Sequence, residues 1–354
     1  MAESDRYLKG TWTALITPFT EDNKVDYEGL EKNIQFQIEE GITGILPVGT
    51  TGESPTLSPE EHDQVIQKSY EFAGRKCEIL AGTGSNSTKE AIEHTKNAVE
   101  TGIEKVLLID CYYNGPSSFE LREYYYSVIL KEFPEVKIVL YVIPGRTGTA
   151  ILPEDIAILS AEYGRVIGIK EATGDIERMK RERKLMPDMS ILSGDDDITF
   201  KIMKDPDIKA SGVISVISNV APGAVSRMVN LMLEGKTEEA KKLEEKLKPL
   251  FSIVTVKAKS KRKLSDGTEV EVIDKYRNPL AIKTVMNALG MPAGFPRMPI
   301  GKMQKEGIQV VKDALFKVWR ESPEILEPVG KFYNVDIEER LNSEKVWEML
   351  TAQT

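Results

Sequence analysis

A lysine, Lys170, ends the apolar, glycine-containing run Val166 to Ile169, and a polar loop reaching Gly174 and Asp175 follows at once. Lysines are rarely buried without a reason. At the dry mouth of a barrel, desolvation would lower the pKa of this amine, because a low dielectric disfavours the ammonium. A neutral amine can attack a carbonyl and form a Schiff base. A lone lysine at a strand end more often snorkels to solvent, so the weight of this reading rests on the other residues that accompany it. With only His62 and His94 in the chain, a histidine-rich metal site and a Ser-His-Asp triad are both disfavoured. Chemistry is left to lysine, tyrosine, threonine, arginine and carboxylates.

Three further groups stand where apolar runs give way to loops. GTTGES, Gly49 to Ser54, offers successive backbone amides and the hydroxyls of Thr50 and Thr51, a pattern that can cradle a carboxylate or phosphate. As a lone motif it reads equally as a plain loop. Tyr112 and Tyr113 close one run and Tyr141 lies in the next. Buried tyrosines usually pack and satisfy one hydrogen bond, but a phenol beside a forming carbinolamine can shuttle the protons that imine formation moves. Arg146, in PGRTG, can take a carboxylate in a bidentate grip.

The elements that must position these residues are legible as eight short apolar runs: GTWTALITPF, GITGILPVG, CEILAGTG, KVLLIDCYYN, KIVLYVIPGRTG, VIGIKEATGD, MSILSGDDD and KASGVISVISN. Segments with helical spacing separate them, such as Leu30, Ile34 and Ile38, or Ala91, Thr95 and Ala98. Ser58, Pro59, Glu60 and Glu61 form a helix start. Near-continuous apolar strands alternating with helices describe a parallel sheet covered on both faces. Eight units predict a closed (β/α)8 TIM barrel with its working face at the carboxyl ends of the strands. An open doubly wound sheet is the alternative, but no GxGxxG follows an early strand. Lys105, Lys137 and Lys209 begin runs and belong to the barrel floor; Lys170 ends one and belongs to the mouth.

The expected organisation is a barrel over residues 1–220, a C-terminal helical region over 221–313 and an extension over 314–354. Within the second, the period-two alternation around Asp266-Gly267 predicts an inserted β-hairpin at about 255–274, with basic residues on one arm and Glu269 and Glu271 on the other. The extension carries Trp319, Phe332, Tyr333 and Trp347 and is expected to pack on the barrel or a neighbouring subunit. The 354 residues are 41% hydrophobic and 29% charged, with a net charge of −9, which argues against nucleic-acid or anionic-membrane surfaces. No run approaches a membrane span, the amino terminus lacks a signal-peptide core, and Cys77 and Cys111 form no metal-type pair. The expectation is a cytoplasmic protein with two reduced thiols.

In this order, GTTGES, YYN at Tyr112, Tyr141 with PGRTG, GIKEATGD, GDD at Gly194 to Asp196 and GVISV at Gly212 to Val216 resemble the pyruvate-dependent aldolase and lyase superfamily, and within it the dihydrodipicolinate synthase family, over roughly the first 300 residues. The resemblance implies Lys170 as the Schiff-base lysine, Tyr141 as the proton donor and acceptor, and Thr50 and Tyr113 as its relay partners, the latter lent by an adjacent subunit. It further implies that Thr51 and the main chain at Ile214 contact pyruvate and that Arg146 meets the carboxylate of aspartate semialdehyde. The implied activity is condensation of these two substrates in lysine (diaminopimelate) biosynthesis, with no metal or dissociable cofactor, in a homotetramer or dimer. A related aldolase or dehydratase acting on a 2-keto-3-deoxy sugar acid is the nearest alternative, and a silent barrel kept for assembly is a third. Two positions depart from the family pattern: Val142 where asparagine is frequent, and Pro59 where histidine often stands in members inhibited by lysine. The remaining counterparts of that inhibitory site, His62, Asn86, Glu90 and Tyr112, are present.

Overall fold

The computed structural model describes residues 8–353. The eight apolar runs form eight strands: β1 Gly10–Ala14, β2 Gly44–Leu46, β3 in two stretches Glu78–Ile79 and Ala81–Gly82, β4 Lys105–Ile109, β5 Lys137–Val142, β6 Val166–Glu171, β7 Ser190–Ser193 and β8 Gly212–Ser215. All neighbours pair in parallel, and β8 returns to β1 with Gly212 opposite Gly10. β3 closes the ring by pairing its first half with β2 and its second with β4. Leu80 between the halves keeps the ladder, its amide donating to the Ile45 carbonyl at 3.0 Å. The result is the predicted (β/α)8 barrel.

Two apolar layers follow from strand alternation. Trp12, Leu46, Leu80, Leu107, Val139, Ile167, Leu192 and Ile214, one from each strand, pack together in the lumen, and Tyr141 joins them. Outward residues such as Ile45, Val106, Leu108, Ile138, Leu140 and Ile169 pack beneath the surrounding helices. The barrel is thus filled rather than hollow, as the fold requires.

Lys170 faces the lumen because of one irregularity. The pairing of β5 with β6 starts at Ile138 with Val166 and then shifts by one residue, so that Val139 opposes Gly168 and Tyr141 opposes Lys170. Ile167 is the extra residue of a bulge. Since side chains alternate between faces, a one-residue shift exchanges them. In an unbroken register Lys170 would oppose Val142, which packs outward.

The helices start and stop on the expected signals. Ser58 and Glu61 form a reciprocal capping box on helix Pro59–Ala73, and Gly74 ends it in the left-handed conformation. Past the barrel, helices Pro222–Leu233 and Thr237–Phe251 lead into the predicted hairpin, whose arms β9 Thr255–Lys263 and β10 Glu269–Arg277 extend three residues beyond the expected end. Lys259 pairs with Glu271 at 2.8 Å, and Arg262 takes Asp274 with two bonds at 2.7 and 2.9 Å. Helices Leu280–Leu289 and Lys305–Glu321 follow, and three short helices between Glu327 and Leu350 complete the chain.

These C-terminal helices share one hydrophobic core with the barrel, in which Ile16, Phe36 and Val213 meet Val285, Leu289, Leu315, Leu341 and Trp347. The Tyr333 hydroxyl donates to Asn33 at 2.8 Å, and the Arg340 guanidinium donates to the final carbonyls of helix Leu280–Leu289, Asn287 at 2.7 Å and Ala288 at 2.8 Å. Among the described residues no helix is long and apolar enough to cross a membrane.

Barrel closure makes a direct prediction. A Cβ on Gly212 would stand 1.9 Å from the Gly10 carbonyl oxygen, whereas one on Gly301 would meet nothing within 4 Å. Gly212→Ala is expected to lower stability by more than about 2 kcal/mol, because backbone rather than a flexible side chain must move, while Gly301→Ala stays within about 0.5 kcal/mol. Denaturant titration of the two variants checks this.

Candidate functional site

β5 and β6 place Tyr141 and Lys170 side by side on the inner face, near the carboxyl ends of both strands. Lys170 is 4% exposed, and its Nζ lies 4.2 Å from the centre of the Tyr141 ring. Desolvation is the largest influence on the amine and lowers its pKa from 10.5 to about 7. Asp195 and Asp196 oppose that shift, and Arg146 adds to it. Burial also pushes the Tyr141 phenol up to about 12, while Arg146 and a hydrogen bond with Thr50 pull it back. At neutral pH the pair is therefore a substantially deprotonated amine beside a protonated phenol, one nucleophile and one proton donor.

A cavity of about 210 Å3 opens at this end of the barrel, lined by Gly49, Thr50, Leu107, Ile109, Tyr112, Tyr141, Arg146 and Thr147 among others. Its wall is apolar, with hydroxyls and one guanidinium at defined points, the composition expected of a small-molecule site. The GTTGES turn forms part of that wall. Thr51 is buried, and its Oγ1 accepts from Asn278 Nδ2 at 2.9 Å. Arg146 follows β5 on the short helix Pro144–Thr147 and donates to the Asn278 carbonyl at 2.8 Å. Arg277 holds the same turn through the Gly145 carbonyl at 2.9 Å.

Tyr141, Thr50 and Arg146 thus line one mouth, Lys170 lies against the Tyr141 ring behind that lining, Thr51 is buried next to Thr50, and Ile214 lies on β8 in the same apolar cluster as Tyr141. Tyr113 does not join them within the chain. It is 91% exposed and sits at a φ of 80°, in the left-handed region that few non-glycine residues occupy.

Three structural roles had no foresight in the motifs. Asn278 links Thr51 to Arg146 from outside the barrel proper. Asp196, within the GDD motif, accepts from Ser215 Oγ and from the amides of Val216 at 2.9 Å and Ile217 at 3.2 Å, so it holds the turn that follows Ile214. Glu53, fourth after Gly49 in the GTTGES turn, is 1% exposed and pairs with the fully buried Lys283 at 2.5 Å. An acidic residue inside a glycine-flanked turn was the available signal for the last.

The two histidines, far apart in apparent purpose, meet in space. Their rings stack at 3.8 Å, and both Nδ1 atoms face Asp63 Oδ1, His94 at 2.6 Å and His62 at 3.4 Å. Of the two rings only His94 is hydrogen-bonded to the Asp63 carboxylate, while His62 Nδ1 is buried without a hydrogen-bond partner. Desolvation lowers the His62 pKa, and the Asp63 carboxylate works against that shift.

The model of the Dihydrodipicolinate synthetase family matches residues 7–317. A 4-hydroxy-tetrahydrodipicolinate synthase of Methanococcus maripaludis strain C7 is 39% identical over 308 residues, covering 87% of this chain and 98% of the relative. The enzyme of that name from Methanocaldococcus jannaschii is 37% identical over 310 residues, with the same coverage of both. Among solved structures, the 4-hydroxy-tetrahydrodipicolinate synthase of Methylacidiphilum fumariolicum SolV superposes with a TM-score of 0.78 at 37% identity, over 92% of this chain and 99% of that one. With the fold, the buried lysine and the order of its accompanying motifs in agreement, the chain belongs to the dihydrodipicolinate synthetase family.

Proposed function

We propose that the protein condenses pyruvate with L-aspartate semialdehyde to 4-hydroxy-tetrahydrodipicolinate, a step of lysine (diaminopimelate) biosynthesis, using Lys170 as its Schiff-base residue. The observation that carries this reading is the desolvated Lys170 amine over the ring of Tyr141, a residue that lines the mouth together with Thr50 and Arg146. The names of the relatives support the choice of substrates.

The chemistry proceeds from groups already in place. The neutral amine of Lys170 attacks C2 of pyruvate, and Tyr141, linked to Thr50, gives the carbinolamine oxygen the proton with which it leaves as water. The resulting protonated imine is an electron sink, so the methyl group loses a proton and an enamine forms. Its carbon attacks the aldehyde, whose oxygen becomes a hydroxyl. The substrate amine then adds to the imine carbon and displaces the Lys170 amine as the ring closes, which restores the enzyme. Thr51 and the Ile214 main chain orient the pyruvate carboxylate, and Arg146 takes the carboxylate of the semialdehyde.

Tyr113 completes the relay in this reading by entering the site of an adjacent subunit in a dimer or tetramer; its exposure and left-handed backbone suit a side chain held out from its own chain. One similar solved structure, 29% identical, is described as a monomeric variant of dihydrodipicolinate synthase, so assembly varies among relatives. The protein acts in the cytoplasm in this reading.

The assignment is open to direct measurement. Borohydride reduction with pyruvate adds the mass of the reduced adduct on a peptide containing Lys170, and Lys170→Ala abolishes it. Arg146→Ala keeps pyruvate trapping while condensation with aspartate semialdehyde falls by about a hundredfold, the scale of losing a charge-assisted contact; assay with 2-keto-3-deoxy sugar acids checks the alternative substrate class. The rate of adduct formation rises with pH through about 7, as the amine loses its proton. The same shift predicts a stability cost. Because the folded-state pKa lies below that of the unfolded chain, stability present above 10.5 is lost as pH falls to about 7. Lys170→Met should therefore be more stable than the parent at neutral pH, by several kcal/mol in order of magnitude. Finally, mixing inactive Lys170→Ala with impaired Tyr113→Phe subunits restores activity if the tyrosine works across a subunit boundary.

A further inference from the structure

A buried ion pair ties the GTTGES turn, through its own Glu53, to Lys283 and has no part in the proposed chemistry. Glu53 Oε1 and Lys283 Nζ are 2.5 Å apart, and neither side chain is exposed. Removing two charges from water costs several kcal/mol for each ion, and packed apolar residues usually serve stability as well or better. What such a pair supplies is one arrangement in place of several.

The surroundings show which arrangement is held. Glu53 sits at φ 59° and ψ 36°, left-handed for a non-glycine residue, a conformation that costs about 1–2 kcal/mol. Its amide donates to the Thr50 carbonyl at 3.2 Å, its carbonyl accepts from the Thr56 amide at 2.8 Å, and its second carboxylate oxygen accepts from the Arg297 amide at 2.9 Å. Lys283 lies on helix Leu280–Leu289, five residues past Asn278, which holds Thr51. One segment therefore grips the turn twice, by the hydroxyl of Thr51 and by the carboxylate of Glu53. The helix is braced in turn by Arg340, beyond the stretch that the family model matches.

We infer that Lys283 and Glu53 are positioning residues for the reaction: their ion pair sets Thr50 and Thr51 in register with Tyr141 and pyruvate, so that the C-terminal helical region completes a site whose reacting groups all belong to the barrel. This rests on the assignment of Thr50 and Thr51 to the pyruvate site.

The test compares Glu53→Gln, Lys283→Met and the double variant in the full-length protein. Lys283→Met leaves a carboxylate buried without its partner and is expected to lose the most stability. The double variant removes both charges and returns the melting temperature to within a few degrees of the parent. Its kcat nevertheless stays down about ten- to a hundredfold, the scale of an ångström-level misplacement, and its KM for pyruvate rises. KM for the aldehyde stays unchanged, because Arg146 is anchored through Asn278 instead. Borohydride trapping with pyruvate becomes slower yet still reaches one adduct per chain. A double variant with parental melting temperature and parental kcat and KM overturns the inference, since the pair would then only fill space. Equal loss toward both substrates overturns it as well. Should the double variant fail to fold, Glu53→Gln gives the same reading, because Lys283 can shed its proton there. Absence of trapping in the parent would instead sink the Schiff-base assignment, and so the two failures remain distinguishable.

Discussion

Keeping one amine out of water is the constraint on which the structure turns. Lys170 is buried, and desolvation lowers its pKa to about 7. That requires a closed and filled barrel, because an open sheet edge would admit the solvent that restores an ordinary ammonium. The lumen supplies one apolar side chain from each strand below and around the lysine. The consequence is a local conflict between stability and reactivity: the interactions that make the amine nucleophilic are those that make it costly to bury.

The bulge at Ile167 gives this constraint its direction. Both faces of β6 are buried, so hydrophobicity alone would tolerate either parity. Toward the lumen, Lys170 meets Tyr141. On the outer face, the next residue, Glu171, meets Arg178 at 3.1 Å, and Arg178 also contacts Glu182 at 3.0 Å. Adjacent residues of one strand thus enter opposite environments, the lysine a dry cavity and the glutamate a buried network of hydrogen-bonded charge. Nearby, Asp110 accepts from the Tyr126 hydroxyl at 2.6 Å, and its burial raises its pKa to about 7. The outer network fixes the strand end while the inner face is left free for substrate.

The mouth is assembled from parts that are distant in the chain. Arg277 and Asn278, at the end of the hairpin, hold the turn that carries Arg146, and Asn278 reaches Thr51 as well. The hairpin therefore leads straight into the segment that joins the GTTGES turn to Arg146. On its exposed face the lysines of one arm meet Glu269 and Glu271 of the other. The short helices at the end of the chain cap the helix that follows Asn278. Several layers of structure hold two turns at a fixed separation, which is the condition for orienting two substrates toward each other.

Periodicity and local signals determined much of this by themselves. Eight apolar runs split by amphipathic segments were enough for the barrel, because strands buried on both faces leave that pattern irrespective of detail. Ser58 with Glu61, and Asp266-Gly267, marked a helix start and a hairpin for reasons confined to a few residues. The order of motifs placed Lys170, Tyr141, Thr50, Thr51 and Arg146 in loops or strand ends of the same face. Other features depend on contacts that no local pattern encodes. The inward parity of Lys170 comes from a register shift against β5. The meeting of His62, Asp63 and His94 comes from two helices packed side by side. Asn278, Glu53 and Lys283 gain their roles only when a segment more than 200 residues away in sequence folds behind the GTTGES turn. Spacing within a strand or helix is a property of the chain, whereas burial of a charge and the choice of its partner belong to the folded whole.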